Sequence, residues 1–159
     1  MITVKNVVCG LALVGLFSAT SQAATPDPME KAVKARQGYM QVNAFNMGIL
    51  AAMVKGEAPY DAEQAATAAN NIKLSSMMKN KAMWVPGSGN DNPKLETKAL
   101  PEIWMAGSDI GDKAKAFGNA ASELAAVAGQ GLDVMKPKFG DLGKSCKGCH
   151  KDYRAADKQ

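Results

Sequence analysis

One short motif near the carboxyl end of the sequence constrains the whole chain: Cys146-Lys147-Gly148-Cys149-His150. Two cysteines separated by two residues and followed directly by histidine form the attachment pattern of c-type haem. Residues three apart on a helix share one face, so both thiols can bond to the vinyl groups of one porphyrin. The adjacent imidazole can reach the iron from the same side. The motif therefore predicts one covalent haem c per chain, with Cys146 and Cys149 as thioether donors and His150 as axial iron ligand.

Three other uses of this motif fit less well. A structural zinc site needs four ligands, and the chain has three cysteines and one histidine, with Cys9 in a predicted leader. A thioredoxin-like redox pair requires a βαβ context, and no strand pattern precedes Cys146. A disulfide between residues three apart on a helix is geometrically awkward. Haem attachment is the interpretation that requires neither additional ligands nor a neighbouring strand.

The amino-terminal residues 1–24 are predicted to be a secretory signal peptide. Lys5 supplies positive charge, residues 7–17 are apolar, and Ser21-Gln22-Ala23 offers a cleavage site between small residues. The apolar stretch is too short to span a bilayer, and a retained anchor is the alternative interpretation. We therefore expect a domain over residues 25–159, located in the periplasm and without stable membrane association after cleavage. The formal net charge of +4 comes from scattered lysines and arginines, so no nucleic-acid partner is expected.

Helical signals recur along the remainder of the chain. A first helix is predicted from Pro28, capped by Asp27, to about Lys55, where Gly56 stops it. Further helices are predicted over residues 61–83, 101–128 and 133–153, with a loop over residues 84–99. Apolar side chains in the last helix recur in steps of three and four, and the motif cysteines continue this stripe. The pattern predicts an all-α, antiparallel four-helix bundle with covalently attached haem c on the C-terminal helix.

The first helix carries two apolar faces. One consists of Met40, Ala44, Met47, Ala51 and Val54, and the other of Val42, Phe45, Ile49 and Met53. A helix with two apolar faces needs two partners. The second partner is either another subunit or more of the same domain, and the pattern does not separate the two.

The mature chain resembles the cytochrome c′ family of class II c-type cytochromes. The resemblance rests on the haem motif at the C-terminal end, on Arg36-Gln37 with Met40, on the segment 55–61 (Lys-Gly-Glu-Ala-Pro-Tyr-Asp), and on the segment 101–104 (Pro-Glu-Ile-Trp). It implies that Arg36 and Gln37 contact the haem propionates or edge, since a guanidinium suits carboxylates.

The resemblance also implies roles for three further residues and for the assembly. Glu96 and Thr97 match loop residues at the haem edge, and Arg154 matches a basic residue beside the proximal histidine. An ordinary solvated arginine is the alternative for Arg36 and Arg154. The family further implies a homodimer through the first two helices. The redox partner protein is not indicated by the sequence.

The role of Met40 determines whether the sixth coordination position of the iron is empty or filled. In cytochromes c′ this position is empty, the iron is five-coordinate and high-spin, and a bulky apolar side chain admits only small gases such as NO and CO. Related proteins of this fold use a methionine here as a ligand, which gives a low-spin electron carrier. We expect an open site that serves electron transfer, gas binding or both, with Met40 as sixth ligand the alternative. No second histidine or carboxylate pair suggests acid–base catalysis, so we expect no enzyme and no catalytic residue.

Overall fold

The structure is a computed structural model, and it describes residues 27–156. The predicted signal peptide, residues 1–24, lies outside these described residues, as do both ends of the predicted domain 25–159. Within residues 27–156, no helix has the combined length and hydropathy that a membrane crossing requires.

Four α-helices form the described chain: α1 (Pro28–Lys55), α2 (Ala62–Ser76), α3 (Ile110–Val127) and α4 (Leu132–Tyr153). Two short 3₁₀ turns, Lys81–Met83 and Pro101–Trp104, lie in the long connection between α2 and α3. Each helix packs on the next one along the chain, and α1 also packs on α4, which closes the bundle. The predicted antiparallel four-helix bundle is confirmed.

Side-chain and glycine caps define the predicted helix ends. The Asp27 carboxylate accepts a hydrogen bond from the backbone N–H of Met29 at 2.9 Å, and the Asp61 carboxylate accepts one from Gln64 N–H at 2.8 Å. These bonds satisfy N–H groups that a helix start otherwise leaves unpaired. At the end of α1, Gly56 adopts a left-handed φ of +76°, which costs glycine little because it has no Cβ.

The second helix is shorter than predicted, because it ends at Ser76 rather than near Met83. The hydroxyls of Ser75 and Ser76 each donate to the carbonyl three residues earlier, on Ile72 and Lys73, at 2.7 Å. Such local bonds compete with the helical pattern of the backbone. The chain then continues through a separate 3₁₀ turn.

The third helix begins later than predicted. Pro101–Trp104 forms an isolated 3₁₀ turn, and α3 begins only at Ile110. Between them Gly107 has a φ of +87°, a left-handed conformation that interrupts a right-handed helix. The prediction of one continuous helix from Pro101 was therefore wrong at its amino-terminal end.

The main core fills one end of the bundle, which we call the packed half. It is formed where the C-terminal parts of α1 and α3 meet the N-terminal parts of α2 and α4. Tyr60 closes this end: its hydroxyl donates to the Ala128 carbonyl at 2.8 Å and accepts from Gly131 N–H at 2.9 Å. The buried residues of the packed half are Leu50, Met53, Ala65, Ala68, Ala69, Ile72, Ala121, Leu124, Ala128, Met135 and Leu142.

The buried face of α1 differs from the predicted stripe through Met40 and Ala44. The buried residues of this helix are Val33, Arg36, Asn43, Asn46, Leu50 and Met53. Asn43 accepts a hydrogen bond from the Ser75 hydroxyl at 2.6 Å, and Asn46 accepts one from the Asn71 amide at 3.1 Å. Polar side chains thus mediate much of the contact between α1 and α2, which apolar periodicity does not detect.

Candidate functional site

A cavity of about 560 Å³ lies at the other end of the bundle, which we call the cavity half. Its walls are the N-terminal half of α1, the connection between α2 and α3, and the C-terminal half of α4. This volume falls within the usual range of ligand sites. Of the predicted site residues, those lining the cavity are Arg36, Gln37, Met40, Glu96, Thr97, Cys149, His150 and Arg154.

Two cysteines of α4 lie at this site with free thiols. Cys149 lines the cavity, whereas Cys146 lies one turn nearer the packed half and is half-buried. Burial raises the pKa of both thiols, so both are protonated at neutral pH. Their spacing places them on one side of α4, as the motif predicts.

His150 brings an imidazole to the same wall. Partial burial of the ring, together with the positive charge of Arg154 one turn later, lowers the pKa of His150. The imidazole is therefore neutral at pH 7, the form in which a ring nitrogen can bind a metal. Within residues 27–156, no three histidine, cysteine, aspartate or glutamate side chains converge on a common metal position.

The opposite wall, on α1, contains a buried arginine. Arg36 is 3 % exposed. One terminal nitrogen donates to the Met83 carbonyl at 3.3 Å and to the Ser88 hydroxyl at 3.0 Å. The other donates to the Ser88 carbonyl at 2.9 Å and to the Thr97 hydroxyl at 3.0 Å. Burial lowers the pKa of Arg36, but its ordinary value is so high that the guanidinium stays charged.

Two tryptophans contact this guanidinium, and sequence reasoning did not assign them to the site. The Trp84 ring centroid lies 4.9 Å from the central carbon of Arg36, and the Trp104 centroid lies 5.8 Å from it. Both distances are within the range of cation–π contact. Trp84 also lines the cavity. Trp104 belongs to the segment 101–104 noted in the sequence, which was the available signal.

The segment 96–100 connects the two walls along the cavity edge. The Gln37 side-chain amide donates to the Glu96 carbonyl at 2.6 Å, and Ala99 forms an antiparallel bridge with Arg154. One end of the segment is therefore attached to α1 and the other to the end of α4. The predicted edge residues Gln37, Glu96 and Arg154 are brought together by this segment.

These features fit a haem with two covalent bonds to the chain. The α4 wall offers the Cys149 thiol and a neutral imidazole, and the Cys146 thiol lies one turn away on the same side of the helix. The cavity lining also includes apolar side chains such as Ile103 and Ile110. A porphyrin has a broad apolar body and two carboxylates. No carboxylate of the described residues pairs with Arg36, so its charge is available to an anionic group.

Comparison with known proteins agrees with this fit. A sequence model of the family described as Cytochrome C′ matches residues 31–154. Cytochrome c′ of Cereibacter sphaeroides is 35% identical over 142 residues, covering 89% of this chain and 95% of that protein.

Two solved structures extend the comparison to the fold. A cytochrome c′ described as having ligand-controlled dimer dissociation is 34% identical, with a TM-score of 0.74, and covers 84% of this chain and 100% of its own. A nitric oxide complex of a variant of Alcaligenes xylosoxidans cytochrome c′ is 35% identical, with a TM-score of 0.70, and covers 84% and 99%. The chain therefore belongs to the cytochrome c′ family, whose proteins carry covalently bound haem c.

Proposed function

We propose that this protein is a periplasmic haem protein that transfers electrons and binds small uncharged gases at an open, five-coordinate iron. One observation carries the proposal: the only imidazole of the chain, His150, and the thioether of Met40 line one cavity from different helices. Bound haem supplies an iron that alternates between ferric and ferrous states and takes small ligands. We assign no catalytic residue.

Each wall of the cavity then has a separate task. Cys146 and Cys149 would hold the haem through thioether bonds, and His150 would supply the imidazole that binds its iron. On the side of α1, Arg36 supplies positive charge near the haem carboxylates. Gln37 is already bonded to the Glu96 carbonyl, so it fixes the loop at the haem edge.

Met40 would control access of small ligands to the bound iron. Its side chain is 36% exposed and lines the cavity. A thioether is flexible, has no hydrogen-bond donor and packs readily on apolar surfaces. Met40 would therefore leave room for small neutral ligands while excluding larger or charged ones, in agreement with the nitric oxide complex of a variant of a related cytochrome c′. The same position favours a second candidate, a low-spin electron carrier in which Met40 is the sixth ligand.

Absorption and EPR spectra of the ferric and ferrous protein, with and without NO, separate the two candidates. For an open site we expect high-spin spectra that Met40→Ala leaves unchanged, apart from faster ligand entry. A low-spin spectrum that becomes high-spin in Met40→Ala would establish methionine ligation instead. Met77→Ala is the matched control, since Met77 directly follows α2, is 66% exposed and does not line the cavity.

A homodimer through α1 and α2 completes the proposal. Phe45 is 71% exposed on α1, where Val42 is 54% exposed. Leu74 is 54% exposed on the adjacent α2, and Met78, just after the end of α2, is 50% exposed. Apolar groups concentrated on one surface favour a protein contact, and a related cytochrome c′ is described as dimeric. We expect a dimer by sedimentation at micromolar concentration and a monomer for Phe45→Asp. Val134→Asp, an exposed change on α4, should remain dimeric, and a monomeric wild type would refute the dimer.

A further inference from the structure

Arg36 is a buried cation with uncharged partners, and this arrangement suggests a role beyond contact with a carboxylate. Its four terminal N–H groups bond to Met83 and Ser88 carbonyls and to Ser88 and Thr97 hydroxyls. A bidentate hydrogen-bonded ion pair with a carboxylate would use those same N–H groups. Arg36 therefore acts on a bound group mainly through its charge, since its terminal donors are already used within the chain.

The two tryptophans fix where that charge lies. Their rings contact the guanidinium at 4.9 and 5.8 Å, and the Trp104 indole N–H donates to the Trp84 carbonyl at 3.1 Å. The ring faces attract the cation electrostatically, and the indole bond holds the two tryptophans relative to each other. Trp104 does not line the cavity, so any effect it has on a bound group must pass through its neighbours.

A buried charge acts strongly on other groups in the same cavity. Arg36 is 3% exposed and shares the cavity lining with His150. Charges shielded from water interact more strongly and are screened less by salt than exposed ones. A fixed positive charge disfavours the ferric state, which carries one more positive charge than the ferrous state.

We propose that Trp84 and Trp104 are positioning residues that hold Arg36 as a buried cation in the cavity wall, and that this cation raises the reduction potential of the haem-loaded protein. The inference rests on the proposed function, because it requires haem bound in the cavity half with His150 as its ligand.

The first test is a spectroelectrochemical titration of haem-loaded wild type, Arg36→Met and Lys94→Met. Both variants lose one positive charge near the same loop, but Lys94 is exposed. We expect a lower potential for Arg36→Met at about 0.1 M and about 1 M salt, and a smaller shift for Lys94→Met that disappears at about 1 M. An Arg36→Met potential equal to wild type would overturn the inference.

The second test asks whether Trp104 acts through Arg36. Trp104→Leu should lower the potential, Trp104→Phe should restore part of it because a ring is retained, and Trp104→Leu should add nothing in the Arg36→Met background. A shift that persists fully in that background would contradict the positioning role. If Trp104→Leu does not accumulate as folded protein, Trp104→Phe is the test. A reduction potential of Trp104→Phe equal to or above that of wild type would contradict the positioning role of Trp104.

The absorption spectrum of each variant keeps this inference distinct from the proposed function. Wild type without covalent haem, or without histidine ligation, would refute the proposed function itself. A histidine-ligated spectrum with an unshifted potential in Arg36→Met would refute only the inference about the buried cation.

Discussion

The packed half and the cavity half are built from the same four helices but have different interiors. In the packed half, alanines such as Ala65, Ala69 and Ala121 are fully buried, and small side chains let helices approach closely. In the cavity half, Arg36 and Trp84 line about 560 Å³ of open volume. One end of the bundle is thus completed by its own side chains, whereas the other is shaped for a prosthetic group.

Helix α4 connects the two halves. Met135 and Leu142 are fully buried in the packed half, and Cys149 and His150 line the cavity two turns later. Loss of haem should therefore loosen the cavity half directly and reach the packed half through α4. The two halves are expected to differ in how much their stability depends on haem.

The largest effect is expected from Cys149→Ala or His150→Ala. Either change removes a proposed anchor of the haem, and without haem the cavity half would lack much of its apolar interior. We predict poorly folded protein without a cooperative thermal transition, measured by circular dichroism at 222 nm. An unchanged cooperative melt in either variant would contradict the proposed difference between the two halves, because the cavity half would then be stable without haem.

A core truncation in the packed half should destabilise the protein less than loss of haem does. The decrease in the free energy of unfolding should be the same in ferric and ferrous protein. Leu124 is fully buried, so Leu124→Ala is expected to lower the free energy of unfolding by about 2–5 kcal/mol. Urea titration of ferric and ferrous protein measures this decrease in the free energy of unfolding. Val134→Ala, at a position 45% exposed, is the control and should change stability by less than about 0.5 kcal/mol. Equal losses for both variants would contradict the placement of the core.

Removal of the Tyr60 hydroxyl tests how the packed half is closed. Tyr60→Phe leaves the Ala128 carbonyl and the Gly131 N–H without their present partner. We expect a loss of about 1–3 kcal/mol, seen as a lower urea midpoint with an unchanged slope. The visible spectrum should not change, since the hydroxyl lies at the end of the bundle remote from the cavity. A spectral shift would show that the two halves are more tightly coupled than proposed.

The smallest effect concerns an ion pair on the surface of α4. A hydrogen bond from Lys144 lowers the pKa of Asp141 below its ordinary 3.8, so the folded state favours the carboxylate. This contribution is complete above pH 3.8 and is lost as the pH falls through the lower folded pKa. Asp141→Asn should flatten the acid side of the stability profile slightly, and about 1 M salt should mimic it. A steeper acid loss in the variant would reverse the assigned sign.

Helix ends with polar or glycine caps were predictable from the sequence, and others were not. Asp27, Gly56 and Asp61 act locally, so their identity indicates the boundary. The end of α2 at Ser76 depends on hydroxyl-to-carbonyl bonds, and the late start of α3 depends on the conformation of Gly107. The apolar spacing is the same whether or not α2 ends at Ser76 and α3 starts late. Hydrophobic periodicity alone therefore could not reveal these two boundaries.

The site was largely predictable on α4 and less so on α1. The spacing of Cys146, Cys149 and His150 is itself typical of haem attachment, and Met40 lines the same cavity as Cys149 and His150. The partners of Arg36 could not be read from the sequence, because Trp84 and Trp104 follow it by 48 and 68 positions. Aromatic residues are usually interpreted as core, and only the folded loop brings both rings to the guanidinium.

The central claim is that the cavity half holds one haem c bonded to α4. The most direct measurement is the intact mass of the denatured protein, followed by peptide mapping, after expression in a host that attaches c-type haem. We predict the mass of the chain plus one haem, retained on denaturation and located on the peptide with Cys146 and Cys149. The mass of the bare chain, or a haem that dissociates on denaturation, would contradict the account.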